Sequence, residues 1–282
     1  MKLLSIAGIL SLTLSAQTWP SYAGDPGAQR YSALTQINTS NVQKLKPAWQ
    51  YGLTSNVDTS AGNRLLNGTE AVPIMAGGLL YSPTLHHTIV ALQPETGKEV
   101  WKYELPQTVG APLRGVTYWQ GDRGHPPRIL AGLSDGRLVA LDAKTGTLVP
   151  GFGKEGTVDL RVGVTEKFPK AAYHLGSPGA IYRNLFITGA QGKEDDPDGP
   201  AMDVRAWSLD TGKHLWTFHT IPHPGEKGYE TWPKHSWVNA GSPANWGAST
   251  VDAERGLVFL PIGQPAAQYY GGERHGDNLY SS

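Results

Sequence analysis

The chain has 282 residues, of which 35 are glycine and 21 proline, a density of turn-formers that excludes a helical bundle or coiled coil. Basic and acidic residues balance at 24 each, which removes the electrostatic case for a nucleic-acid or anionic-membrane binder. There is no cysteine, so disulfide scaffolds, thiolate zinc sites and cysteine nucleophiles are excluded as well.

At the start, Lys2 precedes a largely apolar run from Leu3 to Leu14, and Leu14-Ser15-Ala16 ends in a small residue. This pattern reads as an export signal over residues 1–16, with the rest of the chain, 17–282, in a periplasmic or extracellular space. The apolar run is too short to span a bilayer, and no later stretch approaches the necessary length.

Internal repetition organises the rest of the chain. Ile89-Val-Ala-Leu-Gln-Pro-Glu-Thr-Gly-Lys-Glu-Val-Trp101 recurs as Leu138-Val-Ala-Leu-Asp-Ala-Lys-Thr-Gly-Thr-Leu-Val-Pro150 and again as Val204-Arg-Ala-Trp-Ser-Leu-Asp-Thr-Gly-Lys-His-Leu-Trp216. Each copy predicts an alternating apolar strand, a Thr-Gly turn whose glycine supplies a positive φ, and a second strand. A further strand pair is expected upstream of each copy, at 71–81, around Arg128–Gly132, and at 176–188. A fourth unit opens at Asn245. Four strands per repeat of about 50 residues, with a Thr-Gly turn and a Trp, predict an all-β fold of four-stranded antiparallel β-propeller blades. The repeated Trp is expected to pack between neighbouring blades.

Several segments between the repeats carry possible chemistry. Arg114 stands among apolar and aromatic residues, in Arg114-Gly-Val-Thr-Tyr-Trp119; facing a channel it would hold a carboxylate or quinone oxygen, and otherwise it forms a salt bridge between blades. Gly151-Phe-Gly-Lys-Glu-Gly156 matches a dinucleotide fingerprint by letters. It is followed by a strand-like alternation and reads as a loop. The acidic stretch Glu194-Asp195-Asp196-Pro197-Asp198 is either a solvated loop or a set of hard oxygen donors for calcium. His219 and His223 are four apart, but Pro222 and Pro224 exclude a regular helix, so they read as part of a connection between blades. In Asn245-Trp246-Gly247 the indole offers either a flat stacking surface or another wedge between blades.

Together these segments resemble the pyrroloquinoline quinone (PQQ)-dependent dehydrogenases, eight-bladed quinoproteins that oxidise alcohols and sugars. The likeness runs through the mature chain: Trp19-Pro-Ser-Tyr-Ala-Gly-Asp25, Asn41-Val-Gln-Lys-Leu-Lys-Pro-Ala-Trp49, the Arg114 segment, the three Thr-Gly repeats, Phe218 to Trp232, and Tyr270 to Tyr280. It points to the glucose/quinate/polyol group, because methanol-type enzymes carry adjacent cysteines just before the Arg and this chain has none. The resemblance implies PQQ stacked on a Trp, polarised by calcium and an Arg, with an Asp as general base on the substrate hydroxyl. It also implies a sugar, polyol or alcohol substrate and a quinone or cytochrome acceptor. Carried over by position, Arg114, Ser177 and Trp246 would contact the cofactor, and Gln191, Glu194 and Gln264 would face the metal. Gln191 stands where many members have Glu, and Gln264 where many have Asn.

The same resemblance implies an N-terminal portion of about four blades out of eight. The catalytic Asp segment of the family has no counterpart here, and Asp277 matches the entry to a strand rather than the base. The chain alone is therefore expected to be inactive. The alternative is a non-catalytic propeller of the same repeat class, acting as a scaffold in the cell envelope.

Overall fold

A computed structural model describes residues 18–52, 70–85, 87–193, 198–239, 241–266 and 270–281. The expected export signal and Glu194 lie outside the described residues. Among the described residues, fourteen short strands are arranged as three complete antiparallel sheets and one pair. The first sheet holds β1 (Ile74–Ala76), β2 (Leu79–Pro83), β3 (Thr88–Leu92) and β4 (Glu99–Glu104) in sequence order. The second holds β5 (Thr117–Trp119), β6 (Arg128–Gly132), β7 (Arg137–Asp142) and β8 (Thr157–Asp159). The third holds β9 (Ala180–Tyr182), β10 (Leu185–Thr188), β11 (Val204–Ser208) and β12 (His214–Phe218), and β13 (Thr250–Asp252) pairs with β14 (Leu257–Phe259). These are successive blades of a β-propeller, as the repeats predict. Among the described residues no helix is long and apolar enough to cross a membrane.

Position in the blade explains the composition of each strand. The third strands, β3, β7 and β11, are buried along nearly their whole length; β3 and β7 carry Ile, Val, Leu and Ala on both faces, and β11 buries Arg205, Trp207 and Ser208 beside Val204 and Ala206. They are covered by sheets on either side, so polar alternation disappears. The fourth strand β4 keeps it, burying only Trp101 among Glu99, Lys102 and Glu104. One apolar cluster joins the first sheet to the second through Ile74, Tyr81, Trp101, Ile129 and Leu141. Another joins the second to the third through Leu138, Phe152, Phe186 and Trp207.

The Thr-Gly turns are the joints between these sheets. The amide of Gly146 donates to the Asp142 carbonyl at 2.8 Å, and Asp142 Oδ1 accepts the amides of Lys144 and Thr145 at 2.9 Å each. Gly146 has φ +71°, and an added Cβ would lie 2.5 Å from Cε3 of Trp101. Glycine is needed there for its conformation and also because the indole lies against it. The same indole donates from Nε1 to the Ala143 carbonyl at 3.0 Å. Trp49 repeats the arrangement on the first turn, covering Gly97 and donating to the Pro94 carbonyl at 2.8 Å.

The second repeat departs from the expected pattern. Leu148–Pro150 forms no strand; Leu148 makes a single bridge to Leu141, and the outer strand is β8, seven residues beyond Pro150 at its start. Pro150 and the glycines after it interrupt the ladder, because proline lacks an amide to donate. The 151–156 stretch is a loop, as expected. From it Phe152, with Val158 of β8, covers Gly212, the place that a Trp takes on the other turns. The third repeat's Trp216 is 36% exposed, so the inter-blade packing expected of it is not made by the described residues. At the C-terminal side, residues 276–281 form a bend and a turn, with the Asn278 amide donating to the Thr231 carbonyl at 3.0 Å.

A strap near the N-terminus crosses the inner strands. Trp19 exchanges backbone hydrogen bonds with Met75 of β1, at 2.8 and 2.9 Å, and Pro26 accepts the amide of Val251 of β13 at 2.8 Å.

His219 and His223 lie off any helix, their rings stacked 3.6 Å apart and 10° from parallel, with His219 Nδ1 2.9 Å from Glu226 Oε1. Burial first, then the facing His219, holds the His223 ring below its ordinary pKa, while Asp203 and Glu226 act in the opposite direction. Below pH 6.5 the unfolded chain therefore takes up protons at this ring more readily than the folded one, and stability declines as the pH falls through that value. Urea midpoints at about pH 7.5 and about pH 5.5 should show the loss, and His223→Gln should flatten the difference. An unchanged slope in that variant would remove His223 from the account.

Candidate functional site

Each blade begins with a short inner strand, and the residues just before it gather at one end of the sheets. Glu70 lies four residues before β1, Arg114 three before β5, Ser177 three before β9 and Trp246 four before β13. Repetition of one structural unit thus brings four distant parts of the chain together. Arg114 is the centre of the group, with its side chain only 15% exposed. Its Nε lies 2.8 Å from Glu70 Oε2, and its Nη1 donates to the carbonyl of Gly176 at 2.7 Å and to that of Trp246 at 3.4 Å. None of its described hydrogen bonds uses Nη2. The guanidinium carbon stands 5.4 Å from the centre of the Trp246 ring, which is close enough for a cation–π contact.

Trp246 is 45% exposed, so one indole face is open. Its backbone is fixed from behind: the Ser177 hydroxyl donates to its carbonyl at 2.7 Å. The preceding residue is held by an isolated backbone bridge between Asn245 and Ile262. A cavity of about 340 Å³ opens here, lined by Arg114, Gln191, Ser242, Ala244, Trp246, Gly263 and Gln264. That lies within the range of small-molecule sites, about 300–1,000 Å³. Of the residues singled out from the sequence, Arg114, Gln191, Trp246 and Gln264 therefore wall one cavity, and Ser177 supports its indole from outside.

Gln191 is held by paired backbone hydrogen bonds with His174, at 2.7 and 3.0 Å. Its Oε1 is buried, accepts no hydrogen bond, and packs against Gly176, where an added Cβ would clash with it. Asn245 Oδ1 is likewise buried and without a donor. Asn245 is not among the cavity residues, but the orphaned acceptor of Gln191, which is, fits a cation or a hydrogen-bond donor that completes it. Gln191 can thus present an amide oxygen to a hard cation, as the weaker, uncharged counterpart of a carboxylate, with Gln264 on the wall of the same cavity. Among the described residues no aspartate, Asp277 included, lines the cavity.

Sequence reasoning missed Glu70. The signal was available: aligning the repeats on the start of the inner strand places it level with Arg114, Ser177 and Trp246. The salt bridge between blades, one of the two readings of Arg114, is present, with Nε engaged by Glu70, and the guanidinium also lines the cavity.

A profile for the PQQ-containing glucose/ethanol/alcohol dehydrogenase β-propeller domain matches residues 19–282. The glycerol dehydrogenase large subunit of Gluconobacter oxydans is 33% identical over 89% of this chain and 35% of its own length. The quinate/shikimate dehydrogenase (quinone) of Acinetobacter baylyi is 30% identical over 91% of this chain and 34% of its own. The quinohemoprotein alcohol dehydrogenase of Comamonas testosteroni superposes with a TM-score of 0.74 at 26% identity, covering 94% of this chain and 38% of that one. The chain spans about a third of the length of the curated relatives it matches.

Proposed function

Since the chain belongs to the β-propeller family of PQQ-dependent glucose, ethanol and alcohol dehydrogenases, we propose that it supplies one wall of the cofactor site of an exported quinoprotein that oxidises a sugar, polyol or alcohol hydroxyl. The observation that carries this reading is the cavity itself, where an open indole face and a half-freed guanidinium meet. Trp246 is the stacking floor for a planar ring system. Arg114 offers its remaining N–H donors to a carboxylate or carbonyl oxygen at the edge of that ring. Ser177 and Gly176 keep both groups in place, so the site is preorganised before a ligand arrives.

The quinone, when bound, is the hydride acceptor, and the protein's part is to orient and polarise it. Gln191 and Gln264 would hold the metal beside it, with Glu194 as a third donor. Two amide oxygens bind calcium weakly, and the Glu194 carboxylate would supply the charge that they lack. We assign this chain no general base, and place that group, the substrate loops and the contact with a quinone or cytochrome acceptor in the part of the family's length that it does not cover. Under the same reading residues 1–16 are an export signal and 17–282 the first blades of the ring.

Titration of the chain with PQQ and calcium, read by tryptophan fluorescence, tests the reading. Saturable quenching is expected, and Trp246→Ala should weaken binding by about tenfold or more, since stacking on an aromatic ring contributes about 1–3 kcal/mol. A folded chain that shows no quenching would instead support the envelope scaffold, which needs no ligand at this cavity.

A further inference from the structure

At the opposite end of the inner strands, the connection between β5 and β6 meets the Thr-Gly turn between β11 and β12. Asp122 and His125 come from the first and Asp210 from the second. His125 Nδ1 lies 3.0 Å from Asp122 Oδ1 and 3.2 Å from Asp210 Oδ1. Among the described residues this is the one group of three potential ligand atoms drawn so close together.

One ring nitrogen carries at most one hydrogen, so it can satisfy only one of the two carboxylates facing it. The hydrogen bond goes to Asp122, and Asp210 Oδ1 is left buried without a donor. A cation in place of that hydrogen would serve all three atoms together. The two spacings from Nδ1 suit it, because ligands bound at about 2.0–2.2 Å around a tetrahedral ion stand roughly 3–3.5 Å from one another, and all three atoms lie within 4.8 Å.

The surroundings already orient all three groups, with Asp122 Oδ1 accepting the amides of Gly124 and His125 at 2.8 and 3.0 Å. Asn184 Nδ2 donates to Asp210 Oδ2 at 2.6 Å, which directs Oδ1 toward the histidine. The imidazole leans on Trp119, with ring centres 6.0 Å apart. Arg128 fixes the turn through the carbonyls of Leu209 and Asp210, at 2.5 and 2.9 Å. Its positive charge opposes a cation, but the two carboxylates still outweigh it.

We propose that Asp122, His125 and Asp210 form a site for a divalent transition-metal ion, zinc by its ligand types, which clips the second blade to the third. Binding uses the lone pair of Nδ1, so the imidazole takes the tautomer with its hydrogen on Nε2, and water fills the fourth position. Outer hydrogen bonds such as that from Asn184 hold the ligands in register. The ion's role is structural, and the proposal stands apart from the reading of the quinone cavity.

Zinc chloride titrated calorimetrically into the metal-free chain should show saturable binding of one ion. His125→Gln and Asp210→Asn should each weaken it by at least about tenfold, while His223→Gln, in the stacked His219–His223 pair, should not. Cobalt(II) should give visible absorption bands that His125→Gln abolishes. Circular dichroism checks folding, and the partly exposed His125 gives a variant that does not disturb the core. Absence of saturable zinc binding, or binding that His125→Gln leaves intact, would overturn the proposal.

Discussion

Arg114→Ala is expected to lower the affinity of the chain for the quinone about a hundredfold while leaving the sheets folded. A hydrogen bond to a charged group contributes about 1.5–3 kcal/mol, and about 1.4 kcal/mol is tenfold in affinity. The variant also releases the carbonyls of Gly176 and Trp246 and leaves Glu70 without its partner, so the indole loses one of its fixed edges. Arg114→Lys should recover only part of the loss. Lysine keeps the charge but cannot reach Glu70, Gly176 and a ligand with one planar fork. Fluorescence titrations of the three proteins decide the matter, and equal affinities would show that the guanidinium only ties the blades together.

The largest effect on stability is expected at Trp101. This residue is 7% exposed, packs on the Gly146 turn and hydrogen-bonds the Ala143 carbonyl. Trp101→Ala should destabilise the chain by about 3–5 kcal/mol, the usual range for removing a buried large aromatic. Trp216 occupies the same place in the third repeat but is 36% exposed, and Trp216→Ala should have a much smaller effect. Urea denaturation of the two variants makes the comparison. Equal losses would mean that the repeat position, and not burial between sheets, sets the contribution of the residue.

These two tryptophans also mark how far the sequence could be read. The Thr-Gly turns and the apolar third strands were legible because a positive-φ glycine and a two-sided burial pattern leave strong local signals. The failure at Leu148–Pro150 was local as well, since Pro150 announces the interruption, but the later return of the chain as β8 depends on tertiary pairing. Arg114 stood out among apolar and aromatic residues and Trp246 beside small ones, and the cavity joins them. Glu70 did not stand out, because an exposed acidic residue is ordinary until its repeat position and its partner are known. The Asp122–His125–Asp210 cluster joins residues from two blades, and no spacing within the sequence brings them together.

The strap formed by residues 19–26 has a consequence for how the molecule is made. Each complete sheet closes within a few tens of residues, so its contacts are local and can form soon after the segment is synthesised. The strap instead pairs Trp19 with Met75 and Pro26 with Val251, the second at a separation of 225 positions. Contacts of such long range form slowly, because the entropy of closing the loop must be lost before they contribute. The earliest of these segments to leave the ribosome therefore reaches its final place last, after the fourth blade has begun to form. In pulse-labelled hydrogen exchange the amide of Val251 should gain protection later than the amides of β3 and β7.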